Sequence, residues 1–535
     1  MKSKSTLPTF TYQTRLALPR ESELILDACA DHLSMVERKL FAEIAAGKKA
    51  SDLKASFLTR FGITARQFNA IRVQLEGKIS SIKERRVGLI EEMKLRIAML
   101  DKKINQIKKQ KNKAKIVHQK KRRRFNLQCK LDNQIADHKK EKVRLCFGTK
   151  KSFLSQFDLE ANGFISHPEW LAVWKQKRND SFFLLGSKDE TSGNQSCTAV
   201  IQDNQLTLRL RLPDALSKYG KYLVIPNVQF KYGSEAILTS LRDCNERSAL
   251  HKVNDPSYKD FGQAISYRFK KDKKGWIVLV STSLNEPEWI THQHLGAIGI
   301  DINANHLAVV ETDRYGNPIK NKIFPLNCYG KTSDQTKALI GNVVAELVQW
   351  SALSQKPLVI EKLDFQKKKM DLKESDNPKY ARMLSSFAYT SILDTIKSRA
   401  WRFGVQVKEV NPAFTSIIGR IKFANRYGLT IHESASLCIA RRCQGVSERL
   451  PRCLEKIPDS KGGHVACSLP VRNRGQHVWT SWRKINKKLS VVLAAHFRAK
   501  KNRSSKPMQS ASCDGENPPG PCWRNSNTRT VNNTA

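Results

Sequence analysis

LGAIGIDINANHLAVVETDRYGNPIKNKIFPL, from Leu295 to Leu326, is the stretch on which the fold turns. Its apolar run ending at Asp301 reads as a buried strand with one carboxylate at its edge. HLAVVETD at 306–313 is a second strand, Arg314-Tyr315-Gly316-Asn317 a turn, and PIKNKIFPL a third strand. Three strands joined by short turns make a meander with an acid on its first strand. Taken alone, such an acid is as readily a loop cap as a working group, so the neighbouring segments decide.

KPLVIEKLDF at 356–365 repeats the device: Pro357-Leu358-Val359-Ile360 is a short buried strand, and Glu361 follows it directly. A helical stretch from about Asn377 to Phe403 leads to GVQVKEVNPAF at 404–414, another strand. GLTIHESASLCIARR at 428–442 is a helix whose Ser434, Ala435 and Ser436 permit close packing on a sheet, with His432 and Glu433 at its start. Meander, helix, strand with acid, helix, strand, helix is the order of the ribonuclease H fold. In a two-metal site, acids from separate strands and a helix bridge two Mg²⁺ ions about 3.5–4 Å apart. One ion activates the attacking water and the other stabilises the leaving oxygen. Asp301, Glu361 and His432 or Glu433 supply such a set. The bland alternatives are a cap at Asp301, a surface acid at Glu361 and a helix-start residue without chemical duty at His432. Thr415 and Ser416 are expected to shape a turn, and Asp364 and the lysines at 367–369 to be solvated or to touch a nucleic-acid backbone.

Outward from this core, charge dominates. Ninety-four Lys and Arg stand against 49 Asp and Glu, a formal net of +45. Such a chain repels itself unless a polyanion screens it, so a phosphate backbone is the expected partner. The length of 535 residues implies several domains. No run approaches about 18 apolar residues and the N-terminus has no apolar signal region, so neither a membrane span nor secretion is expected. Twelve cysteines are scattered without a C-x-x-C pair, which suits reduced thiols in a cytoplasmic protein and predicts no zinc site.

Residues 8–20 hold a first short strand. From 21 to 145 the spacing is helical, with further helices at 51–60 and 64–76 capped by Ser51 and Thr64, then a long amphipathic helix over 78–107. That helix runs into the basic tract KKQKNKAKIVHQKKRRRF at 108–125, read as a helical hairpin whose outer face meets nucleic acid. Residues 146–294 read as β-rich, with runs at 197–212 about Asp203-Asn204, at 221–230, and a hairpin over 263–284. A nuclease-type domain follows at 295–450, then a basic extension at 451–503 and a disordered tail at 504–535. The whole is an α+β multidomain chain.

The nuclease-type stretch resembles the TnpB family of insertion-sequence proteins, relatives of type V CRISPR effectors. The likeness rests on GID-x-N around Asp301, IEKLDF around Glu361, R-x-LSSFAY-x-x-I at 382–392, VNPAFTS at 410–416, H-x-x-A-x-x-x-IARR at 432–442 and YQTRL at 12–16. It implies a RuvC-like nuclease domain, a mixed sheet flanked by helices, preceded by a helical recognition domain (21–145) and a β-barrel-like wedge domain (8–20 and 146–294). It implies an RNA-guided, Mg²⁺- or Mn²⁺-dependent DNA endonuclease with a guide RNA and a double-stranded DNA target, and with no small-molecule substrate. Asp301 and Glu361 would hold the metal, and His432 or Glu433 would complete the site. Two departures stand out. The four-cysteine zinc ribbon is missing, with Ile417-Ile418-Gly419-Arg420 at its start, and the third acid is replaced by His432. The second departure keeps open a nuclease-inactive RNA-guided DNA-binding protein, or a degenerate transposon accessory protein.

Overall fold

The computed structural model describes residues 7–108, 113–202, 205–362, 389–446, 448–450, 456–459, 463–468 and 475–504. Asp364, the lysines at 367–369, residues 377–388, the Asp203-Asn204 turn, part of the 108–125 tract, Cys453 and nearly all of the tail lie outside the described residues. The chain divides into two compact units, Met1–Glu286 and Pro287–Ala535.

The first unit contains β1 (Thr9–Arg15), α1 (Arg20–Ala45), α2 (Ala50–Phe61), α3 (Ala65–Lys108), α4 (Ala114–Lys139), α5 (Lys150–Leu154), α6 (His167–Arg178) and β2 (Ser181–Leu184). It continues with β3 (Cys197–Gln202), β4 (Gln205–Arg211), β5 (Tyr222–Val228), α7 (Ser234–Lys252), β6 (Ser266–Asp272) and β7 (Gly275–Ser283). Two antiparallel sheets result, β1-β7-β6-β2 and β3-β4-β5. The strand near the N-terminus thus docks on the hairpin anticipated at 263–284. Ile90, Ile97 and Leu100 of α3 pack on Leu127 and Leu131 of α4, closing the expected helical hairpin.

Three expectations need correction. The helix over 64–76 is not separate: α3 runs unbroken through Gly77, because the buried stripe Phe68, Ile71 and Leu75 continues in helical register. Thr64 does cap it, accepting from the Gln67 amide at 3.2 Å. Ser51 is no cap, since α2 begins one residue earlier behind Lys49 and the Ser51 hydroxyl bonds Asp52 instead. Residues 146–294 are less purely β than their alternation suggests, because they include α6 and α7. The buried face of α7 is a narrow one, Ile237, Ser240, Leu241 and Cys244, half of it small or polar.

The second unit contains β8 (Ile298–Ile302), β9 (His306–Thr312), β10 (Pro318–Pro325), α8 (Ser333–Ser354), β11 (Leu358–Glu361), α9 (Tyr389–Arg402) and β12 (Val407–Val410). After these come α10 (Thr415–Lys422), α11 (Ala424–Tyr427), α12 (Ile431–Cys443), β13 (Lys456–Pro458), β14 (His464–Ala466) and α13 (Val478–Ser504). One mixed sheet runs β10-β9-β8-β11-β12. The first three strands are the antiparallel meander, and β11 is parallel to both β8 and β12. This is the ribonuclease H strand order.

The two faces of the sheet are covered differently. Ile298, Ile300, Leu358 and Ile360 face α8 and α9, where Val344, Leu347, Ile392 and Ile396 complete a fully buried core. The alternate residues turn the other way: Ala297 and Val359 meet Ile439 and Ala440 of α12. That helix lies so close that a Cβ on Gly299 would stand 2.1 Å from the Ser436 carbonyl oxygen. The small residues of α12 and the glycine of the GID motif are the two halves of one close approach. Trp482, Ile485 and Leu489 of α13 pack with Ile418, Phe423, Leu437 and Cys438, so the basic helix near 476–503 is seated on α10 and α12.

Candidate active site

Parallel pairing puts Ile360 opposite Ile300, which makes Glu361 and Asp301 neighbours at the ends of β11 and β8. Adjacent strands are about 4.8 Å apart. Since Ile300 and Ile360 both face α8 and α9, the next residues on each strand both face the α12 side. Sequence positions sixty apart thus meet on one face at one sheet edge.

His432, on the first turn of α12, reaches the same place. Its Nδ1 lies 3.1 Å from Oδ2 of Asp301. The Asn303 amide also donates to that oxygen, at 3.0 Å. Asp301 is mostly shielded, its side chain 13% exposed, whereas the His432 side chain is 47% exposed. Glu361 accepts at 2.5 Å from the Thr415 hydroxyl, which belongs to the N-terminus of α10. The Tyr389 hydroxyl approaches the Glu361 carbonyl at 3.4 Å, and burial together with the Glu361 charge pushes that phenol well above its usual pKa.

Glu433 sits beside this group and is committed elsewhere. It is 6% exposed. Its Oε1 accepts from Asn321 at 2.6 Å, and its Oε2 from the Thr430 hydroxyl at 2.7 Å and amide at 3.0 Å. Together with the Glu433 amide returning to the Thr430 hydroxyl, this is a reciprocal cap on α12. Burial pushes its carboxyl upward, but the bonds from Asn321 and Thr430 and the nearby His306 outweigh burial and hold it below the usual range. The structure joins His432 to Asp301 by a hydrogen bond and brings Glu361 to the adjacent strand end. Glu433 is beside them as a helix cap.

Residues not singled out from the sequence also stand here. His306, at the start of β9, packs its ring edge-on to His432 with centroids 4.8 Å apart. Burial first, then the neighbouring His432, lower its pKa, opposed by Asp301 and Glu433. Asn303, Asn321 and Thr415 fix the three acids. Asn303 stands two residues beyond Asp301 in GID-x-N, and Thr415, expected to shape a turn, opens α10 and bonds Glu361 instead; Asn321 comes from a distant element. Phe414, just before α10, has φ +64°. A bulky residue in the left-handed region costs of order 1–3 kcal/mol and is usually retained where function holds it.

Among the described residues no group of three or more His, Cys, Asp and Glu side chains is arranged to hold a metal ion. The two strand-end carboxylates by themselves suit one hard cation, since Mg²⁺ commonly takes one or two carboxylates and fills its remaining positions with water and phosphate oxygens. They do not amount to a protein cage for two ions. Among the described residues no helix is long and apolar enough to cross a membrane.

No protein-family model matches the chain, and neither does any curated protein. Among solved structures, T. thermophilus RuvC in complex with a Holliday junction substrate is 16% identical, over 28% of this chain and 90% of that one, with a TM-score of 0.19. A CRISPR-Cas12f ternary complex is 12% identical over 81% and 98%, with a TM-score of 0.18. A Cas12i1 R-loop complex before target DNA cleavage is 9% identical over 68% and 61%, with a TM-score of 0.28. Likeness this slight transfers neither fold nor function to this chain.

Proposed function

We propose that the chain is a nucleic-acid-cutting enzyme of the ribonuclease H/RuvC type, acting as an RNA-guided DNA endonuclease of the TnpB kind. The observation that carries the reading is the meeting of Asp301 and Glu361 at adjacent strand ends on the α12 face, with His432 bonded to the first of them. The surplus of 45 positive charges supplies the attraction to a phosphate backbone. Asp301 and Glu361 would hold Mg²⁺ or Mn²⁺, which when bound would neutralise charge on the phosphate and make water more acidic. Asn303 orients the Asp301 carboxylate and Thr415 that of Glu361. With its Nδ1 occupied by Asp301, the His432 imidazole has Nε2 left to take a proton from attacking water. Guide RNA and transposon association rest on the sequence resemblance, as do the wedge and recognition roles of the first unit.

A second reading is favoured by one observation: the third corner is an imidazole tied to Asp301, while the adjacent Glu433 is locked in a cap. Under it the protein occupies DNA and does not cut. The test is sequencing of the RNA that co-purifies, then nicking of supercoiled DNA carrying its complementary target in Mg²⁺ and in Mn²⁺ by wild type, Asp301→Asn and Glu361→Gln. The enzyme reading expects both variants to lose on the order of a hundredfold or more in rate while retaining salt-sensitive binding. Wild type that binds tightly and never nicks would leave the binding reading in its place.

A further inference from the structure

A cleft of about 400 Å³ opens between the N-terminus of α10 and the flank of α13, immediately beside the strand-end acids. Its wall includes Thr415, whose hydroxyl holds Glu361, and Ile431, the residue preceding His432. Its floor is apolar, with Phe414 and Leu489, while Arg420 and Asn486 supply polar groups. Phe414 stands edge-on to Trp479 at 6.2 Å, and the Arg442 guanidinium lies 6.0 Å from the Trp479 ring. Trp479 is 36% exposed.

Resting on the nuclease reading above, we propose that this cleft seats one unstacked nucleobase of a single strand, next to the phosphate presented to Asp301 and Glu361. Each part of the cleft fits that occupant. The volume is at the small end of ligand sites and accommodates one base. An apolar floor with an aromatic ring receives a base's faces, and Arg and Asn offer donors to its edge or its phosphate. Phe414, held with a left-handed backbone, is among the residues that line it. Shared residues link the cleft to the acids: moving Thr415 or Ile431 moves both. Seating a base there would favour an already unwound strand as substrate.

The test uses the full-length protein and single-stranded oligo(dT) carrying 5-iodouracil, irradiated without divalent ions, with crosslinked peptides mapped by mass spectrometry and affinity measured in parallel. Crosslinks at Phe414 are expected. Ser490→Trp, an exposed helix position at the cleft, should fill it, abolish those crosslinks and weaken binding roughly five- to a hundredfold, the worth of one stacked base. Phe414→Gly, which relieves the backbone but gives up packing against the core and Trp479, should bind as weakly as Ser490→Trp while a thermal melt confirms that it is folded. Crosslinks confined to other sites, with Ser490→Trp binding like wild type, would overturn the cleft assignment. Adding Mg²⁺ to the same mixtures separates the two proposals. With the oligonucleotide replaced by one complementary to RNA that co-purifies with the protein, cutting without Phe414 crosslinks leaves the nuclease and removes the cleft, whereas Phe414 crosslinks without cutting keep the cleft and remove the nuclease.

Discussion

Replacing Gly299 by alanine should loosen the second unit by prising α12 off the sheet. The added methyl would lie 2.1 Å from the Ser436 carbonyl oxygen and 2.8 Å from the Ala440 amide nitrogen. Ordinary carbon–oxygen contact needs roughly 3.4 Å, so the helix must retreat by about 1 Å, because both opposing atoms are backbone and cannot swing aside. Overpacking of this kind costs about 1–3 kcal/mol. For a unit of this size each kcal/mol lowers Tm by roughly 2–4 °C, so a fall of about 2–12 °C is expected. Gly341→Ala is the matched control. It lies within α8 with nothing within 4 Å of its new methyl, and should be neutral or stabilising by roughly 0.5–1 kcal/mol. Differential scanning calorimetry of both variants reads the contrast. The retreat also draws His432 from Asp301, so on the proposed nuclease reading nicking by Gly299→Ala should fall more than its residual folded fraction explains. Equal melting of Gly299→Ala and wild type would refute the close-approach argument.

Lys356→Met should cost about 3–5 kcal/mol in urea unfolding, because it leaves the buried Glu311, paired to Lys356 at 2.7 Å, with the Trp350 indole as its remaining side-chain partner among the described residues; a loss under about 1 kcal/mol would count against it. Glu433→Ala should cost about 0.5–1.5 kcal/mol by removing the reciprocal half of the α12 capping box and the bond from Asn321, while Glu433→Gln, which still accepts, should cost less, as thermal melts of both would tell. Asp272 is held down at about 2, chiefly by the hydrogen bond from Arg15. A folded pKa below the unfolded one stabilises above the unfolded value of 3.8 and is lost as pH falls toward 2. NMR titration should therefore place the Asp272 midpoint near 2, and Arg15→Gln should raise it; an unchanged midpoint in the variant would exclude the pair as cause.

Much of the nuclease-type sheet was legible because buried parallel strands write themselves as short apolar runs, and both acids close such runs: Ile298-Gly299-Ile300-Asp301 and Leu358-Val359-Ile360-Glu361. The seat of α12 was legible from Ser434, Ala435 and Ser436. What escaped was pairing across sequence distance. Nothing local says that Thr415 serves Glu361 or that Asn321 serves Glu433, since each bond joins elements that only the fold brings together. Glu433 shows how one residue type carries two meanings: three residues after Thr430 it satisfies a capping pattern as readily as a site pattern, and the cap is what its oxygens meet. The helices within 146–294 were obscured because α7 buries Ser240 alongside Ile237 and Leu241, diluting its apolar stripe.

The bond from Asp301 to His432 spans 131 residues of chain. A ribosome that has released the meander and β11 has made both carboxylates but not the imidazole, whose helix ends only at Cys443. Synthesis proceeds at about 5–20 residues per second, so the nascent chain spends several seconds with a half-built site. On the proposed reading, a protein born among the cell's own nucleic acids stays chemically inert until α12 emerges and docks, with translation order acting as its safety catch.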